Sequence, residues 1–279
     1  MAEVVPPGGR RGVPTADVVV AGAAGRMGSR IVACLGDAGL RLAGALEAAG
    51  HPALGRDAGE VAGVARLGVA ITSDAGAVLL RDRILVEFTA PEATLEHLRL
   101  AVTTGARAVV GTTGLSGPQR AEIAGLARRT AIVLAPNFSV GVTVALKALA
   151  LMARALGDDY DVEVTEIHHR YKKDAPSGTA QRMAEVVAEA LGRDLAKVAV
   201  HGRQGLPGER PPKEIGVFSL RSGDVVGEHT VSFGTLGERL ELTHRAHNRD
   251  TFARGALRAV RFVAGRSPGL YSMQDVLGL

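Results

Sequence analysis

The sequence predicts an α/β protein: an N-terminal Rossmann-type, doubly wound parallel sheet, followed by a C-terminal α+β domain with an open mixed sheet. Three observations carry that expectation. A short apolar run, Val18-Val19-Val20-Ala21, leads directly into a glycine-spaced turn and then a helical pattern. Apolar runs then alternate with helix-period stretches up to a helix over 142–156, the order that builds parallel sheets. Beyond 210, strand-like runs follow one another without intervening helices, so their sheet is antiparallel or mixed.

Composition narrows the function classes. The chain has 279 residues, 46% hydrophobic and 22% charged, the balance of a globular protein with a substantial core. Aromatics make up 3% and Trp is absent, so Ala, Val, Leu and Ile must build that core. The formal charge of +4 is not gathered into a Lys/Arg stripe with interleaved aromatics, which argues for small anions and against nucleic acid. Cys34 is the only cysteine, so no intramolecular disulfide forms, which suits a reducing cytoplasm. Residues 1–16 are rich in Pro, Gly and Arg without an apolar segment; they read as a flexible tail and not as a secretory signal. The most apolar stretch, 140–156, is broken by Lys147 and ends near Arg154, so no membrane span is expected.

Along the first half, the turn Gly22, Ala23, Ala24, Gly25, Arg26, Met27, Gly28 has the place of a nucleotide loop, although its spacing is G-x-x-G-x-x-G and not G-x-G-x-x-G. One glycine makes the tight turn, one admits a pyrophosphate, and one lets helix pack on strand. A second strand over 42–46 ends at Glu47, placed to accept hydrogen bonds from a ribose diol; the plainer reading is a solvated strand-end charge. Ala48 and Ala49 follow it, so a 2′-phosphate would meet an anion and no cation, which favours NADH over NADPH. Further strands at 84–88, 108–110 and 131–134 end in Thr89-Ala90-Pro91-Glu92, in Gly111, Thr112, Thr113 and Gly114, and in Ala135, Pro136, Asn137, Phe138 and Ser139. Ligands of parallel sheets sit outside those carboxyl ends.

Along the second half, Ser139 caps the helix over 142–156 and Gly157 closes it. A strand over 161–169, a helix over 177–191 and a turn-rich segment over 197–210 come next. Strand-like runs at 216–220, 225–233 and 239–245 follow, the first two joined as a hairpin across 221–224. A helix over 251–265 and a short segment over 273–277 end the chain. The expected domains are therefore 17–138 with 249–279 for the dinucleotide, and 139–248 for substrate and oligomerisation. The open face of the second sheet needs a cover, which subunit association would provide.

The stretch 168–179, HHRYKKDAPSGT, organises the rest. It places two imidazoles (His168, His169), three cations (Arg170, Lys172, Lys173) and Asp174 ahead of a helix start at Ser177, Gly178 and Thr179. Free N–H groups at a helix start attract anions. A hydride transferred to a substrate must be matched by a proton, and Lys172 can supply one, more readily if neighbouring cations lower its pKa. His168 and His169 are consecutive and on a strand would face opposite sides, so they should not share a task. Against this stands the plain reading, in which histidines are structural and a lysine pair is a solvated turn. Adjacent histidines are poor geometry for one ion and no usual ligand set completes them, so no metal is expected.

The run Glu166-Ile167-His168-His169-Arg170-Tyr171-Lys172-Lys173-Asp174-Ala175-Pro176-Ser177-Gly178-Thr179-Ala180 resembles the E-x-H-H-x-x-K-x-D-A-P-S-G-T-A signature of the 4-hydroxy-tetrahydrodipicolinate (dihydrodipicolinate) reductase family. The likeness continues through 22–28, Phe88-Thr89, 111–114, 137–142, Gly227-Glu228-His229-Thr230 and Gly237-Glu238-Arg239-Leu240, nearly all of the chain after the first sixteen residues. It implies NAD(P)H-dependent reduction of a cyclic imine-type dicarboxylate, with loss of water, in lysine and diaminopimelate biosynthesis. His168 matches the proton donor/acceptor and Lys172 the proton donor. His169, Ser177, Gly178 and Thr179 match the substrate region, with Arg249 as an added cation. Gly22, Ala23, Ala24, Gly25, Arg26, Met27, Glu47, Gly111, Thr112, Thr113, Ala135, Pro136, Asn137 and Phe138 match the cofactor region. The resemblance also implies a homotetramer built through the second domain's sheet, and a C-terminal segment that returns to the nucleotide domain. Ala48 and Ala90 stand where NADPH users often carry arginine, which again favours NADH; His51 or Arg56 leaves NADPH open. Two rival readings are an aspartate-dehydrogenase-like enzyme and a non-catalytic NAD-binding regulator. The first lacks a reason for the S-G-T helix start and the second for an intact H-H-x-x-K array.

Overall fold

The computed structural model describes residues 16–279, so the tail expected over 1–16 lies outside the described residues apart from Ala16. The first elements alternate strand and helix: β1 (Asp17–Ala21), α1 (Gly28–Cys34), β2 (Arg41–Leu46), α2 (Ala58–Val61), β3 (Ile71–Thr72), α3 (Ala75–Val78), β4 (Ile84–Glu87), α4 (Pro91–Thr104), β5 (Arg107–Val110), α5 (Gly117–Leu126) and β6 (Ala131–Leu134). After them come α6 (Val140–Leu156), β7 (Asp161–His168), α7 (Gly178–Ala190), α8 (Leu195–Val198), β8 (Ala199–Val200), β9 (Ile215–Arg221), β10 (Gly227–Thr235) and β11 (Glu238–Ala246). The chain closes with α9 (Asp250–Val263), β12 (Gly269–Tyr271) and α10 (Met273–Leu277). Local chemistry sets many boundaries. Pro91 opens α4 and Gly105, at φ 83°, ends it; Ser116 and Gln119 form a reciprocal capping box on α5.

The first sheet has seven strands in the order β12-β6-β5-β4-β1-β2-β3, and all of its pairs are parallel. Apart from the added β12 this is the doubly wound order, with its switch point between β1 and β4. Val18, Val19, Val20 and Ala21 are all buried, because helices cover both faces of a central parallel strand. Val19, Leu85, Ala108, Val110 and Ile132 pack with Leu98 and Ile123 in one core layer.

The second sheet has five strands in the order β11-β10-β7-β9-β8. β9 pairs with β7 in parallel, whereas β10 pairs antiparallel with β7 and with β11, so the sheet is mixed. This overturns the hairpin expected across 221–224. β7 lies between β9 and β10, and the connection crosses the end of β7, where Ser222 N–H donates to His168 O and Arg170 N–H to Gly223 O. The hairpin is instead β10–β11, turning at Gly237 with φ 97°. Alternation sends Val162, Val164, Val231 and Phe233 to one face, where Met183, Ala184 and Val187 of α7 and Leu149 of α6 pack on them. One described helix, Val140–Asp159, is long and apolar enough to cross a membrane; its Ala145, Leu149 and Ala153 are buried in the core of this sheet.

Contacts divide the described residues into a first unit, which runs to Pro136 and takes in Ala256–Ser272, and a second, Asn137–Gly255 with Met273–Leu279. The segment 249–279, expected to return whole to the first domain, is therefore divided. Gly255 lies so close to the Phe138 carbonyl that a Cβ would overlap it, and α10 packs on α6; both contacts belong to the second unit.

Candidate active site

In the first unit the parallel strands bring their carboxyl ends to one edge. Gly22 has φ 68°, a conformation that strains any side chain, and a Cβ there would lie 3.1 Å from Thr89 Cγ2. A Cβ on Gly25 would sit 3.1 Å from the Gly22 carbonyl oxygen, and one on Gly28 would overlap it. The turn is thus closed on itself by backbone, with Gly25 N–H donating to Gly22 O at 2.9 Å and Ala23 N–H to Leu46 O at 3.0 Å. Ala24 N–H donates to Glu47 Oε1 at 2.9 Å and Ala48 N–H to Glu47 Oε2 at 3.3 Å. Glu47 is therefore tied across the turn by backbone N–H groups. Arg26 is exposed beside Met27 at the start of α1, and Ala48 is exposed after Glu47. His51 turns its Nδ1 to the Ala53 N–H.

At the neighbouring strand ends, Gly111 lies against the Phe88 ring, which any Cβ would overlap. Thr112 is buried with its Oγ1 2.7 Å from Thr94 Oγ1, whereas Thr113 is exposed. Ala135 is buried, donating its N–H to Val110 O, and Pro136 is exposed. A support missed in the sequence lies beneath this edge. The fully buried Glu87 carboxylate accepts from Thr89 N–H at 3.1 Å, from Thr89 Oγ1, and from His97 Nδ1 at 2.7 Å. Burial works to lower the His97 pKa, but the Glu87 carboxylate outweighs it and the net direction is upward. A cavity of about 750 Å³, lined by Asp17, Arg81, Asp82 and Arg107, opens where β1, β4 and β5 begin. That is the opposite end of the strands from the glycine turn.

In the second unit the chemistry gathers where β7 ends and α7 begins. Glu166 and His168 are two residues apart on β7 and so share the covered face. Glu166 is fully buried; its Oε2 accepts from His168 Nδ1 at 2.5 Å, its Oε1 from Ser177 N–H at 3.1 Å, and both oxygens from Arg221 Nη1 at 3.0–3.1 Å. Burial alone would raise the Glu166 pKa, but hydrogen bonds from His168, Ser219 and Arg221 outweigh it and hold the carboxyl below its ordinary value. An ionised Glu166 only accepts, so His168 Nδ1 carries a proton and Nε2 is the nitrogen left for exchange. Gly227 makes room for it: a Cβ there would be 2.9 Å from His168 Nε2.

His169 follows β7 on the turn, and its Nδ1 is buried without a protein partner. Lys172 lies on the same turn, where its Nζ meets Asp174 at 2.7 and 2.9 Å. The charge beside the ammonium is therefore a carboxylate, and not the neighbouring cations expected to act on it; the turn folds Asp174 back onto Lys172. The Lys172 hydrogen bond is the chief cause that lowers the Asp174 pKa.

Ser177 is buried as the N-cap of α7, with its Oγ accepting from Ala180 N–H at 3.2 Å and lying 2.9 Å from His229 Nε2. Its hydroxyl is thus committed within the protein. Gly178 and Thr179, exposed and half-buried, form the first helical turn, where the helix supplies no acceptor for their N–H groups. Asn137 Nδ2 donates to Thr179 Oγ1 at 3.2 Å and Asn137 Oδ1 accepts from Ser139 N–H, so Asn137 ties the starts of α6 and α7 together. The Phe138 side chain is buried. Arg249 is exposed just before α9 and makes no hydrogen bond to the His168 cluster. Sequence reasoning assigned no task to Glu166, Arg221, Asp174 or His229, although Glu166 and Asp174 stand in the family signature and His229 in the likeness at 227–230. Among the described residues no three side chains of metal-ligating type gather for an ion.

Comparison with known proteins follows the same lines. Residues 16–138 match the family model of the dihydrodipicolinate reductase N-terminus, and 141–277 that of its C-terminus. The chain is 53% identical over 263 residues to 4-hydroxy-tetrahydrodipicolinate reductase of Citrifermentans bemidjiense, covering 94% of this chain and 98% of that one. It is 53% identical over 262 residues to the protein of the same name from Geobacter sulfurreducens, covering 94% and 98%. Among solved structures, dipicolinate-bound dihydrodipicolinate reductase from Paenisporosarcina sp. TG-14 superposes with a TM-score of 0.72 at 24% identity, covering 94% and 98%. GenD2 of gentamicin A biosynthesis, solved in complex with NAD, reaches 0.60 at 16% identity, covering 99% and 93%. These two structural likenesses bear on the fold.

Proposed function

The chain belongs to the dihydrodipicolinate reductase family, and on that premise we infer that it reduces 4-hydroxy-tetrahydrodipicolinate to tetrahydrodipicolinate with NAD(P)H and loss of water. The observation that carries the reading is the match of both family models, which together span the chain from 16 to 277 with a gap of only a few residues. It takes the place of the aspartate-dehydrogenase-like and regulator readings.

A nicotinamide dinucleotide bound in the first unit supplies the hydride. The glycine turn suits its pyrophosphate: Gly22, Gly25 and Gly28 let the turn close tightly where a Cβ would meet Thr89 or the Gly22 carbonyl, so its backbone can approach the phosphates. Glu47 receives the adenosine ribose, and Gly111, Thr112, Thr113, Ala135 and Pro136 line the same edge. Asn137 and Phe138 are the remaining cofactor residues of this reading, and the second unit holds the substrate. In that unit the Gly178 and Thr179 N–H groups bind one substrate carboxylate at the positive end of α7. His169, on the turn that follows β7, contacts the substrate in this reading. Ser177 contributes by holding the helix start, and Arg249 adds a cation for a carboxylate. The lost hydroxyl leaves as water and the hydride needs a matching proton, so the site must donate protons. His168 Nε2 exchanges one and the Lys172 ammonium donates one.

NADH is the preferred cofactor in this reading, with NADPH a poorer one. Glu47 presents its carboxylate at the ribose position, and Ala48 and Ala90 offer no cation to a 2′-phosphate. The working enzyme is a cytoplasmic homotetramer assembled through the second unit's sheet, with a small dicarboxylate as substrate and neither nucleic acid nor membrane as partner. The test is loss of nicotinamide absorbance with the cyclised condensation product of pyruvate and aspartate semialdehyde, using NADH and NADPH in parallel. Fast NADH oxidation with slower NADPH oxidation is expected. Equal rates would remove the cofactor preference, and no oxidation of either would remove the activity.

A further inference from the structure

We propose that Glu166 and Arg221 form a positioning pair that sets His168, the Lys172 turn and the α7 start in one rigid arrangement. The proposal rests on the reading of His168 and Lys172 as the proton-handling residues. Glu166 is a fully buried carboxylate that the reaction itself does not require, and it stands on the sheet face beneath the site. A buried charge is tolerated when every oxygen is engaged. Here Oε2 takes the His168 Nδ1–H at 2.5 Å and Oε1 takes the Ser177 N–H at 3.1 Å. Arg221, on β9 and directly opposite His168 in the ladder, places Nη1 at 3.0–3.1 Å from both oxygens.

Each of those bonds constrains a different working part. The bond to Nδ1 fixes the His168 tautomer and leaves Nε2 to exchange the proton, as a carboxylate does for any imidazole it orients. The bond to Ser177 N–H fixes the residue whose hydroxyl caps α7, and so the direction of the Gly178 and Thr179 N–H groups. The remaining arm of Arg221 reaches further: Nη2 donates to the Asp174 carbonyl at 2.6 Å, and the Asp174 carboxylate holds Lys172 Nζ. One carboxylate and one guanidinium therefore span the imidazole, the anion cradle and the ammonium. The other titratable group packed against this pair is His229 of β10, 5.2 Å from the His168 ring between centroids. Burial, and then the nearby His168, push its pKa down to about 4, so it faces the pair as a neutral ring. Its Nε2 binds the Ser177 hydroxyl and not Glu166.

The experiment uses the full chain and its Glu166→Gln and Arg221→Met variants, with three readouts: kcat and KM for the dicarboxylate, the Kd for NADH, and the His168 tautomer from imidazole 15N resonances. In the unmodified chain His168 is expected to carry its proton on Nδ1; a spectrum with the neutral ring protonated on Nε2 would overturn the proposal without any variant. In Glu166→Gln the Nδ1–H preference should be lost and kcat should fall by about tenfold or more, with NADH Kd unchanged within about twofold. Arg221→Met should keep the tautomer, because Glu166 remains, yet raise KM and lower kcat through the Lys172 turn. A Glu166→Gln protein that keeps the Nδ1–H tautomer would reduce Glu166 to a structural group and end the proposal, whatever its kcat. His168→Asn separates the two ideas: if that variant turns over normally, the proton-handling reading fails independently of Glu166.

Discussion

Lys172 sits on a turn and not on a regular element, so its position depends on what its ammonium and the neighbouring backbone touch. Asp174 chelates Nζ with both oxygens and Arg221 holds the Asp174 carbonyl. Lys172→Ala should therefore lower kcat by about a hundredfold, the scale of a lost general acid, and leave NADH Kd nearly unchanged. Steady-state rates alongside quenching of bound-NADH fluorescence would check this, and an unaltered kcat would remove Lys172 from the chemistry. At this scale the sequence was partly legible. His168, Lys172, Gly178 and Thr179 stand out because their side chains or N–H groups have few other uses at such spacing. Asp174 was visible but its partner was not, since a two-residue turn decides which charge meets which. Glu166 shows its spacing in the sequence and nothing of its burial, and burial is what makes it a hub.

At the scale of elements, β10 brings His229 opposite Glu166 and His244 of β11 opposite His229, so a row of polar groups crosses the covered face. His229 Nε2 lies against the cap of α7 and His244 Nε2 is 3.3 Å from Ser139 Oγ, the cap of α6. The row thus anchors two helix starts, and its protonation couples to stability. His229 stays neutral in the folded chain down to about 4, against 6.5 for the free side chain. Between those values the unfolded chain binds the extra proton, so stability falls as the pH drops through that window, by roughly 3 kcal/mol at its lower end. Above 6.5 the group contributes no pH dependence. His244, lowered by burial, acts in the same direction, whereas Glu166, held below its ordinary 4.5, loses its stabilising share only under more acidic conditions. Urea unfolding at a series of pH values should give a flatter dependence for His229→Gln than for the unmodified chain over about pH 6.5 to 4.5. Identical slopes would show that the buried ring does not titrate this way. The elements themselves were legible where local chemistry dictates them, as in β1, its glycine turn and the Ser177 cap. The hairpin expected across 221–224 was not, because Ser222-Gly223 suits a turn while the partner of β9 is chosen by its long ladder with β7. Three-residue β12 is too short to show any period.

For the whole molecule, the second sheet presents two unlike faces. α6 and α7 occupy one face. On the other, β10 and β11 carry paired polar rows: Glu228 with Arg245 at 3.0 Å, Thr230 with Thr243 at 3.0 Å, and Ser232 with Glu241 at 3.1 Å. Leu220 of β9 is about half exposed, and Leu206 and Leu236 in the adjoining loops are wholly exposed. Strands that carry complementary polar pairs, with apolar residues at their margins, suit a mate of the same kind, and a surface that pairs with its own copy builds closed symmetric oligomers. The proposed tetramer would use this face. Light scattering after size exclusion should give four chain masses. Thr230→Lys would place an ammonium in the middle of that contact, where an unpaired buried charge costs roughly 3–5 kcal/mol. The expected outcome is a smaller species with unaltered circular dichroism, since Thr230 points away from the core of its own chain. A tetramer that survives Thr230→Lys would place the contact on another face, and a monomer in the unmodified protein would leave this sheet face open to solvent in the working enzyme.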